Sequence, residues 1–225
     1  MSALGLILVV LMTIFPPAAT TDVPWRKPVV GSIFSLICVL GVIAVFSPNK
    51  CLKIFSIGKK NRTADSESAT LVLHGTSNAL QGHHQTCGNY GAHVFRIKGR
   101  TVCAACAGLL LGGLLALVGA SAYFFGGWNV ADYSSLMVLL GIVGVSFGLV
   151  QFKFRSLVRL LVNTVFVLGS LLIIVGIDDL VHSLVFDLFV FCLIVFWLVT
   201  RISLSSWDHE VICSGCETEN CRFRE

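Results

Sequence analysis

Long apolar runs separated by short polar ones organise this chain. Five runs reach about 18 residues, the length at which a helix crosses the hydrocarbon of a bilayer: 29–46, 104–125, 135–152, 157–177 and 180–202. A sixth apolar segment, 2–15, stops at Pro16-Pro17 and is short for a span. It reads either as a signal-like segment within residues 1–20 or as a short first span. No lysine or arginine precedes it, and a signal peptide ordinarily carries one. The pattern predicts an all-α polytopic membrane protein, a helical bundle of five or six spans.

Composition strengthens this reading. Hydrophobic residues make up 56% of the chain and charged residues 12%, against about 25% charged in soluble domains. Mean hydropathy is +0.87, so lipid is the expected solvent for most of the surface. The net charge of +4 does not point to nucleic acid, because the basic residues are sorted by loop instead of forming one patch.

That sorting predicts orientation. Lysine and arginine in short loops mark the cytoplasmic side. Loop 47–103 carries Lys50, Lys53, Lys59, Lys60, Arg62, Arg96, Lys98 and Arg100. The 153–159 connection adds Lys153, Arg155 and Arg159, and the end of the chain adds Arg201, Arg222 and Arg224. One topology puts these fourteen on the inner face of a cell membrane. Arg26 and Lys27 lie outside with Asp22, Asp132, Asp178 and Asp179, and Trp25, Trp128 and Tyr133 form an outer aromatic belt. Loop 47–103 and tail 203–225 are then cytoplasmic. The basic stretch 50–62 is chiefly an orientation signal, with anionic lipid headgroups as a second use.

Six of the nine cysteines fall in two groups. In a reducing compartment such groups read as metal ligands before disulfides. The first group is His83-His84-Gln85-Thr86-Cys87, fifteen residues, then Cys103-Ala104-Ala105-Cys106. The β-prone runs on either side of Lys98-Gly99 predict a short hairpin, with Cys103 and Cys106 on the first turn of the following helix. Knuckle, hairpin and helix N-terminus in that order describe a small treble-clef-like zinc module over 74–106. The spacing His84-x2-Cys87-x15-Cys103-x2-Cys106 suits tetrahedral zinc, and His83 competes with His84 for the first position. One nitrogen and three sulfurs make a closed, structural site, and such binding contributes about 10–16 kcal/mol in small zinc peptides. A catalytic zinc generally works with a carboxylate base, and residues 74–118 contain no Asp or Glu. The second group, His209, Cys213, Cys216 and Cys221, either completes a second site or contributes to the first, so one or two zinc ions are expected.

Two polar residues within the spans stand out. Asp187 lies just inside the last span, where an ionisable side chain is costly and faces protein or water. It reads as a proton or ion relay, or as an interfacial Asp bonded to Ser183 or a neighbouring helix. Asn163 reads as a link between helices. Gly108-x3-Gly112 and Gly144-x3-Gly148 allow close helix contact within a packed bundle.

The stretch GHHQTCGNYGAHVFRIKGRTVCAACAGLLLGG resembles a family of small prokaryotic membrane proteins classed as a domain of unknown function. The likeness is carried by His83, His84, Gln85, Cys103, Cys106 and Gly108. Family members often have Arg between the paired cysteines, where this chain has Ala104-Ala105. The family's Pro and Arg after the Gln are absent, and Cys87 stands there, as in what looks like an archaeal branch. The resemblance implies a metal-binding membrane protein and no particular activity. The function expected from the residues is zinc-dependent assembly, interaction or regulation, with the bilayer and a protein partner or second copy as contacts. The alternatives are a membrane thiol oxidoreductase using Cys103 and Cys106, and a small transporter using Asp187.

Overall fold

The computed structural model describes residues 2–17, 23–46, 93–97 and 100–214. Their elements are α1 (Ser2–Ile14), α2 (Arg26–Phe46), β1 (Val94–Ile97), β2 (Arg100–Cys103), α3 (Ala104–Ala120), α4 (Ser134–Leu149), α5 (Ser156–Val181) and α6 (Leu184–Ser214). A π-helical segment, Ser121–Phe125, extends α3, and short 3-10 turns precede α4 (Ala131–Tyr133) and follow it (Gln151–Lys153). Among the described residues five helices are long and apolar enough to cross a bilayer: α2, α3 with its extension, α4 with its lead-in, α5 and α6. The protein is a multi-pass helical membrane protein.

The hairpin expected around Lys98-Gly99 is present. β1 and β2 pair antiparallel from Val94 opposite Cys103 to Ile97 opposite Arg100, a register that leaves two residues for the turn. The Ala104 amide donates to the His93 carbonyl at 3.0 Å. The strand thus passes directly into α3, with Cys103 in extended conformation as the residue before the helix.

α5 is the centre of the bundle. Two thirds of its spanning window (67%) is buried, against 28–33% for the other four spans. Glycines let its neighbours approach to backbone contact. A Cβ on Gly108 of α3 would strike the Leu160 carbonyl, and one on Gly112 would stand 3.0 Å from the Thr164 carbonyl. Thr164 Oγ1 donates to the Gly108 carbonyl at 3.1 Å and ties the same pair of helices. From α4, a Cβ on Gly141 would lie 2.6 Å from the Gly169 carbonyl and one on Gly144 2.9 Å from the Val165 carbonyl. Both glycine motifs are therefore spent on α5. This is the usual membrane solution, in which close packing replaces the hydrophobic drive available in water.

α1 has 13 residues and is about 20 Å long, short of the hydrocarbon thickness, and Pro16-Pro17 follow it. It packs along α6: Gly5 sits against Leu193 and Trp197, Val9 is buried, and Trp197 Nε1 donates to the Ser2 carbonyl at 3.3 Å.

Two boundaries differ from the hydropathy pattern. The break between the last two spans falls at His182-Ser183, beyond Asp178-Asp179. α5 carries both aspartates and ends where His182 takes a left-handed conformation, φ 52° and ψ 36°, with its amide bonded to the Asp178 carbonyl. α6 runs on past Ile202 to Ser214. Hydropathy marks where lipid ends. The helix continues because nothing before Gly215 breaks it.

Gly108→Leu and Gly141→Leu are expected to lower the thermal midpoint of the detergent-solubilised protein, with a loss of stability of at least the roughly 1–3 kcal/mol that overpacking costs, because the obstacle is backbone. Gly41→Ala, with nothing within 4 Å, should leave the midpoint unchanged or slightly raised. Thermal unfolding followed by circular dichroism measures both.

Candidate functional site

The bundle buries polar side chains at both ends, and α5 contributes to each group. At the hairpin end Arg159 is buried, one turn before Asn163 on the same face of α5. Arg159 Nη1 donates to His93 Nδ1, and the ring's Nε2 stands 3.9 Å from Asp208 Oδ2. Arg159 Nη2 donates to the same Asp208 oxygen at 3.3 Å. Asn163 Nδ2 caps the Arg159 carbonyl at 2.6 Å. Its Oδ1 accepts from Arg201 of α6, with Nε at 2.9 Å and Nη2 on the same oxygen. Arg201 Nη2 also reaches Gln151 Oε1 at 3.1 Å, and the guanidinium lies over the Phe166 ring, 5.6 Å from its centroid.

The paired cysteines adjoin this group. Cys103 and Cys106 are part-buried and not joined by a disulfide. The Cys103 thiol is brought down to about 6 from an ordinary 9.0. The hydrogen bond from the Cys106 side chain contributes most. Burial opposes it, and the Cys106 and Ala105 amides at the start of α3 and the charge of Arg159 assist. Helix N-termini and neighbouring cations stabilise thiolate in this way. Arg201 also feels both cysteines electrostatically. The described residues thus set two buried guanidiniums against one carboxylate, Asp208, and the cysteine pair supplies the remaining negative character.

The second group lies at the other end. Arg26, the first residue of α2, is fully buried. Its Nη1 meets Asp178 Oδ1 and, at 2.9 Å, Asp187 Oδ2, and it reaches the Asp178 carbonyl at 3.3 Å. Tyr123, in the π-helical segment, donates its hydroxyl to Asp178 Oδ2 at 2.7 Å. Lys27 Nζ stands 4.5 Å from the centroid of the Tyr123 ring, a cation–π contact. Ser134 Oγ donates to Asp179 Oδ2 at 2.5 Å. The tight His182-Ser183 turn makes the constellation possible, since it brings the end of α5 beside the start of α6. π-Segments often mark functional positions, and this one carries the only side-chain hydroxyl that reaches Asp178 among the described residues.

The groups are far apart. Asp187 and Arg201 are separated by about 21 Å along α6, and Arg159 and Asp178 by about 28 Å along α5, so the pair brackets the hydrocarbon thickness. Between Asn163 and Asp178, α5 carries only two polar side chains, Thr164 and Ser170, and both bond back to their own helix.

Of the residues singled out in the sequence, Asp187 and Asn163 lie in these two groups, at opposite ends. Cys103 and Cys106 come together at the start of α3. His83, His84, Cys87, Cys216 and Cys221 fall outside the described residues, and the helix carries His209 and Cys213 as backbone. Among the described residues no three His, Cys, Asp or Glu side chains gather as a metal-ligand set. The donors that are described suit zinc in kind, two converging thiols with one held as thiolate.

Three cations are placed differently from the charge count. Arg159 and Arg201, read as loop and tail charges, are buried inside the bundle, and Arg26, read as an outer surface charge, is fully enclosed. Hydropathy ranks positions along the chain and cannot see that α5 is surrounded. One signal was available: Arg159 falls within the apolar run 157–177 and Arg201 within 180–202, and an ionisable residue inside a span is a candidate site by default. Tyr123 and Gln151 carried no comparable mark.

Compared with protein-family models, curated proteins and solved structures, the chain matches none.

In chelator-treated protein the alkylation of Cys103 should follow a titration near 6, rapid above it and lost below, because only the thiolate reacts. Cys106→Ala should move that midpoint upward toward 9.0, and Arg159→Gln should move it up by less. Mass-resolved alkylation rates across pH check both shifts.

Proposed function

We propose that this membrane protein carries a structural zinc clasp at the hairpin end of its bundle, serving assembly, interaction or regulation. Cys103 and Cys106 supply two ligands, His83 or His84 with Cys87 supplies others, and the tail cysteines Cys213, Cys216 and Cys221 with His209 stand by the same site. One observation carries the reading. The hairpin delivers Cys103 and Cys106 together at a helix N-terminus, with the Cys103 thiol held as thiolate at neutral pH, the form zinc requires. The contact of Asp208 with Arg159 and His93 brings α6 beside the hairpin only a few residues before Cys213, which favours a tail that shares this neighbourhood. By the distribution of lysine and arginine, this end faces the cytoplasm.

A second reading, membrane thiol oxidoreduction at Cys103 and Cys106, is favoured by the same lowered thiol beside a second cysteine. It predicts that the pair is oxidised by a quinone in the bilayer and reduced again by dithiothreitol.

Metal analysis of the purified protein is expected to find zinc, and Cys103→Ser to remove one equivalent. Replacing Cys213, Cys216 and Cys221 together by Ser reports on the tail. A fall from two equivalents to one means independent sites, and loss of all metal means a shared cluster. Zinc-free protein with readily alkylated thiols rules out the clasp, and cycling of the pair by quinone and dithiothreitol would then support the redox reading.

A further inference from the structure

The group at the opposite end from the cysteines has a charge pattern that the zinc clasp does not use. Arg26, Asp178 and Asp187 each have no exposed surface. One guanidinium nitrogen, Arg26 Nη1, contacts both carboxyl groups, which holds the two side by side. A carboxylate only accepts hydrogen bonds. Two buried carboxylates at that separation oppose each other unless a proton stands between them, as in other carboxyl pairs that share one site. Asp187 Oδ1 is buried with no hydrogen-bond donor among the described residues, so this oxygen has a position for a proton and nothing else to hold.

The surrounding charges do not remove the need. α2 brings Arg26 and the half-buried Lys27, whose ammonium rests on the Tyr123 face. α5 brings Asp178 and Asp179, the latter bonded to Ser134 of α4, and α6 brings Asp187. The π-segment brings the neutral Tyr123 hydroxyl, already donated to Asp178. His182 stands part-exposed on the connecting turn, and α1 contains no titratable side chain. Among the described residues named here two cations face three carboxylates, an excess of one negative charge. One proton brings the group to neutrality, which a site walled by lipid-facing helices favours strongly.

We propose that Asp178 and Asp187 form one proton-binding site, holding a single proton between their carboxyl groups beside Arg26. The proton belongs to the pair and not to either residue. Its binding joins the end of α5 to the start of α6 and both to α2. Its release leaves two charged carboxylates on one guanidinium nitrogen and drives the start of α6 away from α5. The site lies where the end of α5 meets the starts of α6 and α2, next to the turn that carries part-exposed His182.

Infrared spectroscopy of the full-length protein in an ester-free detergent at neutral pH tests this. The expected result is a carbonyl stretch of a protonated carboxylic acid, shifted in heavy water, moved by aspartate-specific 13C labelling, and lost on raising the pH. Asp187→Asn and Asp178→Asn should each abolish the band, since one remaining carboxylate has no partner to share with. If either variant fails to fold, the 13C shift still assigns the band to an aspartic acid, and Asp178→Glu or Asp187→Glu, which keeps a carboxyl group, should retain a band at a shifted frequency; a band that neither Glu variant moves overturns the proposal. A wild-type spectrum without an aspartic acid band overturns the proposal. So does a band that persists in both folded variants. A missing band together with a sodium-dependent rise in thermal midpoint overturns it in favour of a bound cation.

Discussion

A helix enclosed by other helices must have every polar group on it satisfied by protein, and α5 imposes that condition on the rest of the bundle. Glycines on α3 and α4 bring their backbones against it, so no lipid or water reaches most of its length. Arg159, Asn163 and Asp178 are then obliged to find partners on neighbouring elements. They draw in Arg201 and Gln151, His93 and Asp208 at one end, and Arg26 and Tyr123 at the other. Burying an ion pair contributes little net stability, but removing one partner leaves an uncompensated charge at a cost of about 3–5 kcal/mol. These contacts therefore fix which helices meet, in what register, more than they deepen the fold.

The two polar ends differ in chemistry although the same helix builds them. The hairpin end is rich in donors: Arg201 on the Asn163 and Gln151 amide oxygens, Arg159 on His93 and the Asp208 carboxylate, and a cysteine pair whose thiolate character is supported by the start of α3. It suits soft, anionic ligands to a metal or a reactive sulfur. The Arg26 end is rich in acceptors, with carboxyl groups crowded on one guanidinium and a tyrosine hydroxyl. The apolar stretch of α5 between them isolates one from the other, so each can respond to its own aqueous face.

Much of the architecture was legible along the chain. Apolar runs of spanning length located the five long helices, and β-prone runs either side of Lys98-Gly99 located the hairpin. The step from Val102 into Ala104-Ala105-Cys106 located the start of α3 with its cysteines. These are local signals, carried by consecutive residues. Asp187 and Asn163 were visible because each is a polar residue within an apolar run. Their partners were harder to see: Arg26 lies outside every run, and Arg159 and Arg201 sit just inside run ends, where a charge ordinarily reports the water boundary. The ends of α5 and α6 were missed for a related reason: Asp178, Asp179, Asp208 and Glu210 are polar enough to end an apolar run without ending a helix.

The sequence by itself determined the solvent of this protein, the number of long apolar helices and the placing of two cysteines at a helix start, since each depends on composition and spacing over a few turns. Only the tertiary structure decided that α5 is central, that three arginines face inward and that Asp178 and Asp187 share one guanidinium. Those outcomes depend on which helix faces which, and that choice is made by backbone contact at glycines and by pairing of buried charge between residues as far apart as Arg26 and Asp187. No window along the chain contains both partners.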